Sequence, residues 1–168
     1  MPRSPRHPER WTLLLALLLF CAGRGGPVPL AAEQAGPDVA VVVHRDVPVD
    51  SLTVAELRRV MLGDREFWPA SVRITLLVRA PVAHERDVVL KDLCQMTEAQ
   101  FRQHWIGKVF RADTALAPKI VYSTEMAVDL VNRIPGAITF IDAAQAGKGL
   151  KVVKIDGRLP GDKGYALR

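Results

Sequence analysis

The chain has 168 residues, 49% of them apolar and 24% charged, a balance that suits one globular domain. Its formal charge of +5 overstates its basic character, because Arg3, Arg6, Arg10 and Arg24 against Glu9 supply +3 of it and leave the rest of the chain at about +2. With a nearly neutral remainder and no Lys/Arg run interleaved with aromatics, nucleic acid is excluded as a partner.

The N-terminus places three arginines before the apolar run Trp11 to Ala22, and small or turn-forming residues follow as far as Ala31-Ala32. That is the order of a secretory signal. Residues 1–32 are read as a signal peptide and residues 33–168 as the mature domain, exported to the periplasm. The run is shorter than the ~20 residues a spanning helix needs, so no membrane span is expected after cleavage. An uncleaved anchor is the alternative, since Arg24 and Pro27 interrupt the cleavage region. Cys21 follows the bulky Phe20, a poor fit to a lipid-attachment box. Cys94 then stands alone, which leaves no internal disulfide and reads as a buried, unreactive thiol.

In the mature part, Val39-Ala-Val-Val-Val43 is a continuous β-branched run of the kind buried on both faces of a parallel sheet. Pro48, Asp50 and Ser51 make a turn. Thr53 with Glu56 forms a capping box, Val54, Leu57, Val60 and Met61 share one helical face, and Gly63 suits the left-handed close of that helix. Ile74, Leu76 and Val78 alternate in a second strand that ends at Arg79, so strand, helix and strand read as a βαβ unit. A helix is expected over Ala83 to Cys94, with Glu85 and Asp87 in its first turn, and another after the capping box of Thr97 and Gln100. In that second helix Phe101, Trp105 and Val109 recur on one face as a core stripe. Ala117 to Tyr122 reads as a strand, Ser123 as the cap of a helix with Ala127, Leu130, Val131 and Ile134 inward, and Pro135-Gly136 as its stop. Ala137 to Ile141 and Leu150 to Ile155 are two further strands, and Asp156 to Arg168 is a turn-rich tail. Strands alternating with helices predict a three-layer α/β fold.

The helix Leu52-Thr-Val-Ala-Glu-Leu with its closing Gly63, the turn Phe67-Trp68-Pro69, the strand ending in Arg79, the helix carrying Phe101 and Trp105, and Ile134-Pro-Gly-Ala-Ile-Thr-Phe-Ile141 follow one another in a recognisable order. In that order the chain resembles the periplasmic phosphate-binding proteins of ABC transporters, from Val39 to Ile155. The resemblance implies an α/β fold of the periplasmic-binding-protein type II class, a mixed sheet with flanking helices. The family's two-lobed form is longer, so here either the cleft is incomplete or the lobe is simplified. It also implies a non-enzymatic, cofactor-free domain whose partners are a small phosphate-like anion and an envelope or ABC transporter protein.

In that family an Arg is followed by a Gly-Ser-Gly-Thr loop at a helix start, where small residues, hydroxyls and free amides hold the anion. Here Arg79 is followed by Ala80-Pro-Val-Ala-His-Glu85, so Ala83 and Glu85 replace the two hydroxyl residues, His84 replaces the second Gly, and Thr139 stands at another usual Gly. Glu85 and Asp87 add negative charge where an anion would sit, so binding should be weak. The candidate ligand residues are Arg79, for its bidentate fork, with His84, Ser123 and Thr124. The bland readings are an Arg79–Glu85 ion pair and an ordinary N-cap at Ser123. Without His-Glu-x-x-His or paired Cys/His ligands no metal is expected and His104 reads as exposed, and without Gly-x-Ser-x-Gly or a nucleophile beside a base no catalysis is expected. The rival function is a ligand-free accessory domain of an envelope complex that retains the same fold.

Overall fold

A computed structural model describes residues 36–114 and 116–168. Residues 1–32, where a signal peptide is expected, and with them Cys21 lie outside the described residues.

The elements in chain order are β1 (Val39–Val43), β2 (Ser51–Leu52), α1 (Val54–Met61), β3 (Thr75–Arg79), α2 (His84–Val88), α3 (Glu98–Phe110), β4 (Lys119–Val121), α4 (Thr124–Arg133), β5 (Ala137–Asp142), β6 (Lys151–Val152) and β7 (Lys154–Ile155). Five strands form one mixed sheet in the order β4-β3-β5-β1-β6, and β2 pairs with β7 in a small parallel ladder. β3 runs parallel to both β4 and β5, whereas β1 is antiparallel to β5 and to β6. Every residue of β1 is buried, as its β-branched run requires. Its direction corrects the expected parallel βαβ unit: β5 separates β1 from β3, and the two point opposite ways.

Strand alternation divides the core into two layers. One face gathers Val39, Val41, Val43, Leu76, Val78, Ile138 and Phe140 with Leu57, Met61, Leu93, Phe101 and Trp105 from the helices. The other gathers Ala40, Val42, Leu77, Val121 and Ile141 against Ala127 and Val131 of α4. The sheet with helices on both sides is the three-layer arrangement read from the sequence. Both capping boxes are present: Thr53 and Thr97 accept from the third-position amides of α1 and α3, and Glu56 and Gln100 accept from the cap amides. Their acceptors satisfy donors that would otherwise be unpaired at a helix start.

Trp68, in the turn before β3, donates its indole N–H to the Gly136 carbonyl across 2.9 Å inside the core. Gly136 has φ +77, and a Cβ there would run into the Arg73 carbonyl. The Pro-Gly stop of α4 is thus the place where two segments meet too closely for any side chain.

Four other expectations are corrected. Val109 is 48% exposed rather than core, because residues four apart drift ~40° per step round a 3.6-residue helix, so the stripe starting at Phe101 rotates out of the core. The predicted strand Leu150 to Ile155 is two pieces with different partners, β1 for β6 and β2 for β7. His104 is not simply exposed: its Nε2 sits 2.9 Å from the Leu62 carbonyl. The tail is not merely turns, since Tyr165 and Leu167 are buried, the Tyr165 hydroxyl donates to the Val39 carbonyl at 2.8 Å, and the Val39 amide donates to Leu167 at 3.0 Å. The helix expected to reach Cys94 does so, but α2 continues from Val89 to Cys94 as a π-helical stretch and closes at Gln95 in a left-handed conformation.

Candidate functional site

The candidate site residues Arg79, Ser123 and Thr124 lie at or just beyond the carboxyl ends of β3 and β4, the place where open α/β sheets bind ligands. Arg79 is the last residue of β3 and pairs in register with Val121, and the Ala80 amide donates to the Val121 carbonyl at 2.9 Å. This pairing brings Ser123 and Thr124, which open α4, beside the chain that leaves β3. The Ser123 hydroxyl accepts from the Met126 amide at 3.1 Å, an ordinary cap bond.

Between Arg79 and α2 the chain makes a tight turn, with the Ala83 amide donating to the Ala80 carbonyl at 3.3 Å. Pro81 and Val82 are its corner residues, and Val82 is held at φ +68. A β-branched residue in the left-handed region is strained. Ala83 occupies the N-cap of α2 and offers no side-chain acceptor.

The Arg79 side chain is buried, 13% exposed, and its Nε lies 3.5 Å from Oε1 of Glu85, itself 9% exposed. That is an ion-pair distance but too long and poorly aligned for a hydrogen bond. Nε and Nη1 of Arg79 are buried and meet no acceptor among the described residues. Glu125, exposed on the first turn of α4, titrates below the ordinary carboxylate range. Its own backbone amide is the main cause, the Ser123 hydroxyl adds to it, and the positive charge of Arg79 contributes. Two carboxylates therefore share the field of one guanidinium.

His84 is engaged differently: its Nε2 lies 3.0 Å from the Pro37 carbonyl and its ring packs on Gly36. It faces the segment leading into β1. Thr139 is fully buried in β5, opposite Val42, and its hydroxyl meets no partner among the described residues. Arg79, Ser123 and Thr124 thus lie at or just after neighbouring strand ends, while His84 contacts Gly36 and Pro37.

One residue of the neighbourhood is missing from the sequence reading. Arg86, on α2, makes a two-point ion pair with Glu98 at 2.7 and 2.9 Å, donates to the Arg79 carbonyl at 2.8 Å, and lies over the Phe101 ring at 5.3 Å. It fastens the end of β3 to two helices. A separation of twelve residues along the chain carries no periodic signal, so only the exposed-looking Glu98 in a capped first turn hinted at it. Among the described residues no three His, Cys, Asp or Glu side chains cluster as metal ligands would, and no helix is long and apolar enough to cross a membrane.

No protein-family model and no curated protein sequence matches the chain. Solved structures do match it. PstS from Borrelia burgdorferi superposes with a TM-score of 0.63 at 14% identity, over 78% of this chain and 54% of its own. An ABC-type phosphate transport receptor from Vibrio cholerae gives 0.60 at 21% identity, over 74% and 48%. A substrate-binding protein assigned to a phosphate ABC transporter of Clostridium perfringens, solved with phosphate bound, gives 0.60 at 17%, over 74% and 47%. The fold is that of the phosphate transport binding proteins. This chain spans about half the length of those structures. Within the phosphate-binding-protein fold, it carries its own chemistry at the strand ends: Glu85 against Arg79, and α2 without a capping hydroxyl.

Proposed function

We propose that residues 33–168 form an exported, periplasmic, non-enzymatic binding domain, released from the signal peptide 1–32, that takes a small phosphate-like anion weakly at Arg79, Ser123 and Thr124. The observation that carries this reading is the Arg79 guanidinium, whose buried Nε and Nη1 have no hydrogen-bond acceptor among the described residues, at a strand's carboxyl end next to the chain that opens α4. Free donors in a buried position cost about 1–3 kcal/mol each until an acceptor arrives, so an oxyanion gains by supplying one. The likeness to transport binding proteins supports binding rather than catalysis. Weak affinity follows from Glu85, whose carboxylate already shares the Arg79 charge.

Isothermal calorimetry of the protein with phosphate, sulfate and small organic acids tests the reading. Saturable binding of about millimolar affinity, abolished by Arg79→Ala, is expected. Absence of heat for every anion would end it.

A second reading is favoured by the same Glu85: with Arg79 internally paired, the domain serves as an accessory part of an envelope or ABC transporter complex and binds no solute. Co-purification with an envelope protein, with no response to anions, is its signature.

A further inference from the structure

α3 is apolar on two sides. Phe101 and Trp105 enter the core, while Ile106, Val109 and Phe110 turn outward, Ile106 55% and Phe110 90% exposed. Alongside them runs β4, the outermost strand of the sheet. Helix and strand bound a groove of about 710 Å³, lined by Pro81, Phe101, Trp105, Ile106, Phe110 and Ile120 among others. Exposed apolar faces of this kind mark interaction sites.

Two features say what fits there. Val121 gives its carbonyl to β3 through the Ala80 amide, and residues along a strand alternate the side to which their amides point. The N–H and C=O of Ile120 therefore face away from the sheet, on the free edge, while its side chain lines the groove. An open strand edge beside an apolar groove is the geometry of strand addition, in which backbone bonds give affinity and alternate side chains fill the groove. The second feature is charge. Arg102 on the groove wall is exposed and forms no ion pair among the described residues, whereas Arg86 inside is matched by Glu98. A second copy of this chain would bring the unmatched Arg102 against its own kind, and a small apolar solute would leave the strand edge unused.

We propose that the groove between α3 and β4 takes an extended segment of a partner protein, added to β4 as a further strand, apolar at alternate positions and acidic at its ends. The inference rests on the interaction reading for the existence of a partner and gives that reading its surface.

The test is fluorescence anisotropy of a labelled peptide, Asp-Val-Thr-Val-Thr-Val-Asp, titrated with the purified protein. It runs beside versions N-methylated on either alternating set of amides and a version with Lys at both ends. Saturable binding of the parent peptide is expected. One of the two methylated sets and the Lys-ended peptide should bind at least about tenfold more weakly. Ile106→Asp should abolish binding with an unchanged thermal midpoint, because Ile106 is largely solvent-exposed. No saturable binding, or binding indifferent to both N-methyl sets, overturns the proposal. So does a concentration-dependent dimer in sedimentation that Ile106→Asp dissolves, which assigns the face to a second copy. If an envelope partner co-purifies equally with wild type and Ile106→Asp, the groove inference falls while the interaction reading stands.

Discussion

Glu85 stands 3.5 Å from the buried guanidinium of Arg79, so the cation that would meet an oxyanion already faces a carboxylate. Two opposed charges in a largely buried setting interact by more than the ~1 kcal/mol they would in water, and any incoming anion must compete with that pair and be repelled by Glu85 as well. Replacing the carboxylate with its neutral isostere keeps the shape and removes the competitor.

Glu85→Gln should therefore tighten phosphate binding about tenfold, equivalent to ~1.4 kcal/mol, measured by calorimetry at fixed ionic strength. Equal affinities in the two proteins would show that Glu85 does not govern the site.

The pair Arg86–Glu98 predicts a stability effect instead. Arg86 is 7% exposed at its side chain, and taking away its partner strands a buried charge, which costs about 3–5 kcal/mol in buried pairs and less here because Glu98 is partly solvated. Glu98→Ala should lower the free energy of unfolding by about 2–3 kcal/mol in urea titration. The double change Arg86→Leu with Glu98→Leu should recover a good part of that loss. If the double variant is as unstable as the sum of both single losses, the pair is not the cause.

At the corner of the Arg79 loop, Val82 is almost wholly solvent-exposed and sits at φ +68. A left-handed conformation costs a β-branched residue about 1–2 kcal/mol, of which glycine's extra unfolded-state freedom returns part. Val82→Gly should raise stability by about 0.5–1 kcal/mol. A lower thermal midpoint in scanning calorimetry would contradict the loop geometry.

Alkaline pH gives a fourth check. Burial pushes the Cys94 thiol from the usual 9.0 to about 11, against a small opposing effect of Arg58. In the unfolded chain the thiol loses its proton near 9 while the folded one keeps it, so the folded state binds more protons in between. Stability is intact below pH 9 and falls as pH rises toward 11, by at most about 3 kcal/mol. Tyr165, whose hydroxyl is raised above its usual 10.0 mainly by burial and also by Asp38, adds a loss of the same sign above pH 10. Urea midpoints from pH 8 to 11 under reducing conditions should show a slope between 9 and 10 that Cys94→Ala removes. An unchanged slope in the variant would place the cause elsewhere.

Much of the fold was legible because its signals are local. Thr53 and Thr97 announce helix starts three residues ahead of their Glu and Gln partners, and the β-branched run of β1 has the length and content of a buried strand. Strand direction was not legible, since burial on both faces looks alike in parallel and antiparallel sheets. Nor was the burial of Tyr165 and Leu167, which depends on β1 lying next to a segment more than a hundred residues away. At the site, Arg79 as a strand-end residue and Ser123 as a helix cap were each legible locally, whereas Arg86 and Glu98 meet only after two helices have packed. α3 carries apolar residues on more than one side, so its periodicity marked Phe101 and Trp105 for the core but took Val109 with them.

The placement of β1 sets the order in which the molecule can be completed. Its sheet partners are β5 and β6, beginning at residue 137, and its first residue is tied to Leu167 and Tyr165. A nascent chain that has released β1 carries five bare Val and Ala amides with nothing to pair with until nearly a hundred further residues emerge. Such long-range closure is slow, since a large loop must be ordered before any ladder bond forms. An interior strand of the sheet, the earliest of its five in chain order, is among the last to be seated, which leaves the polypeptide unfolded for longer than a domain built from neighbouring hairpins.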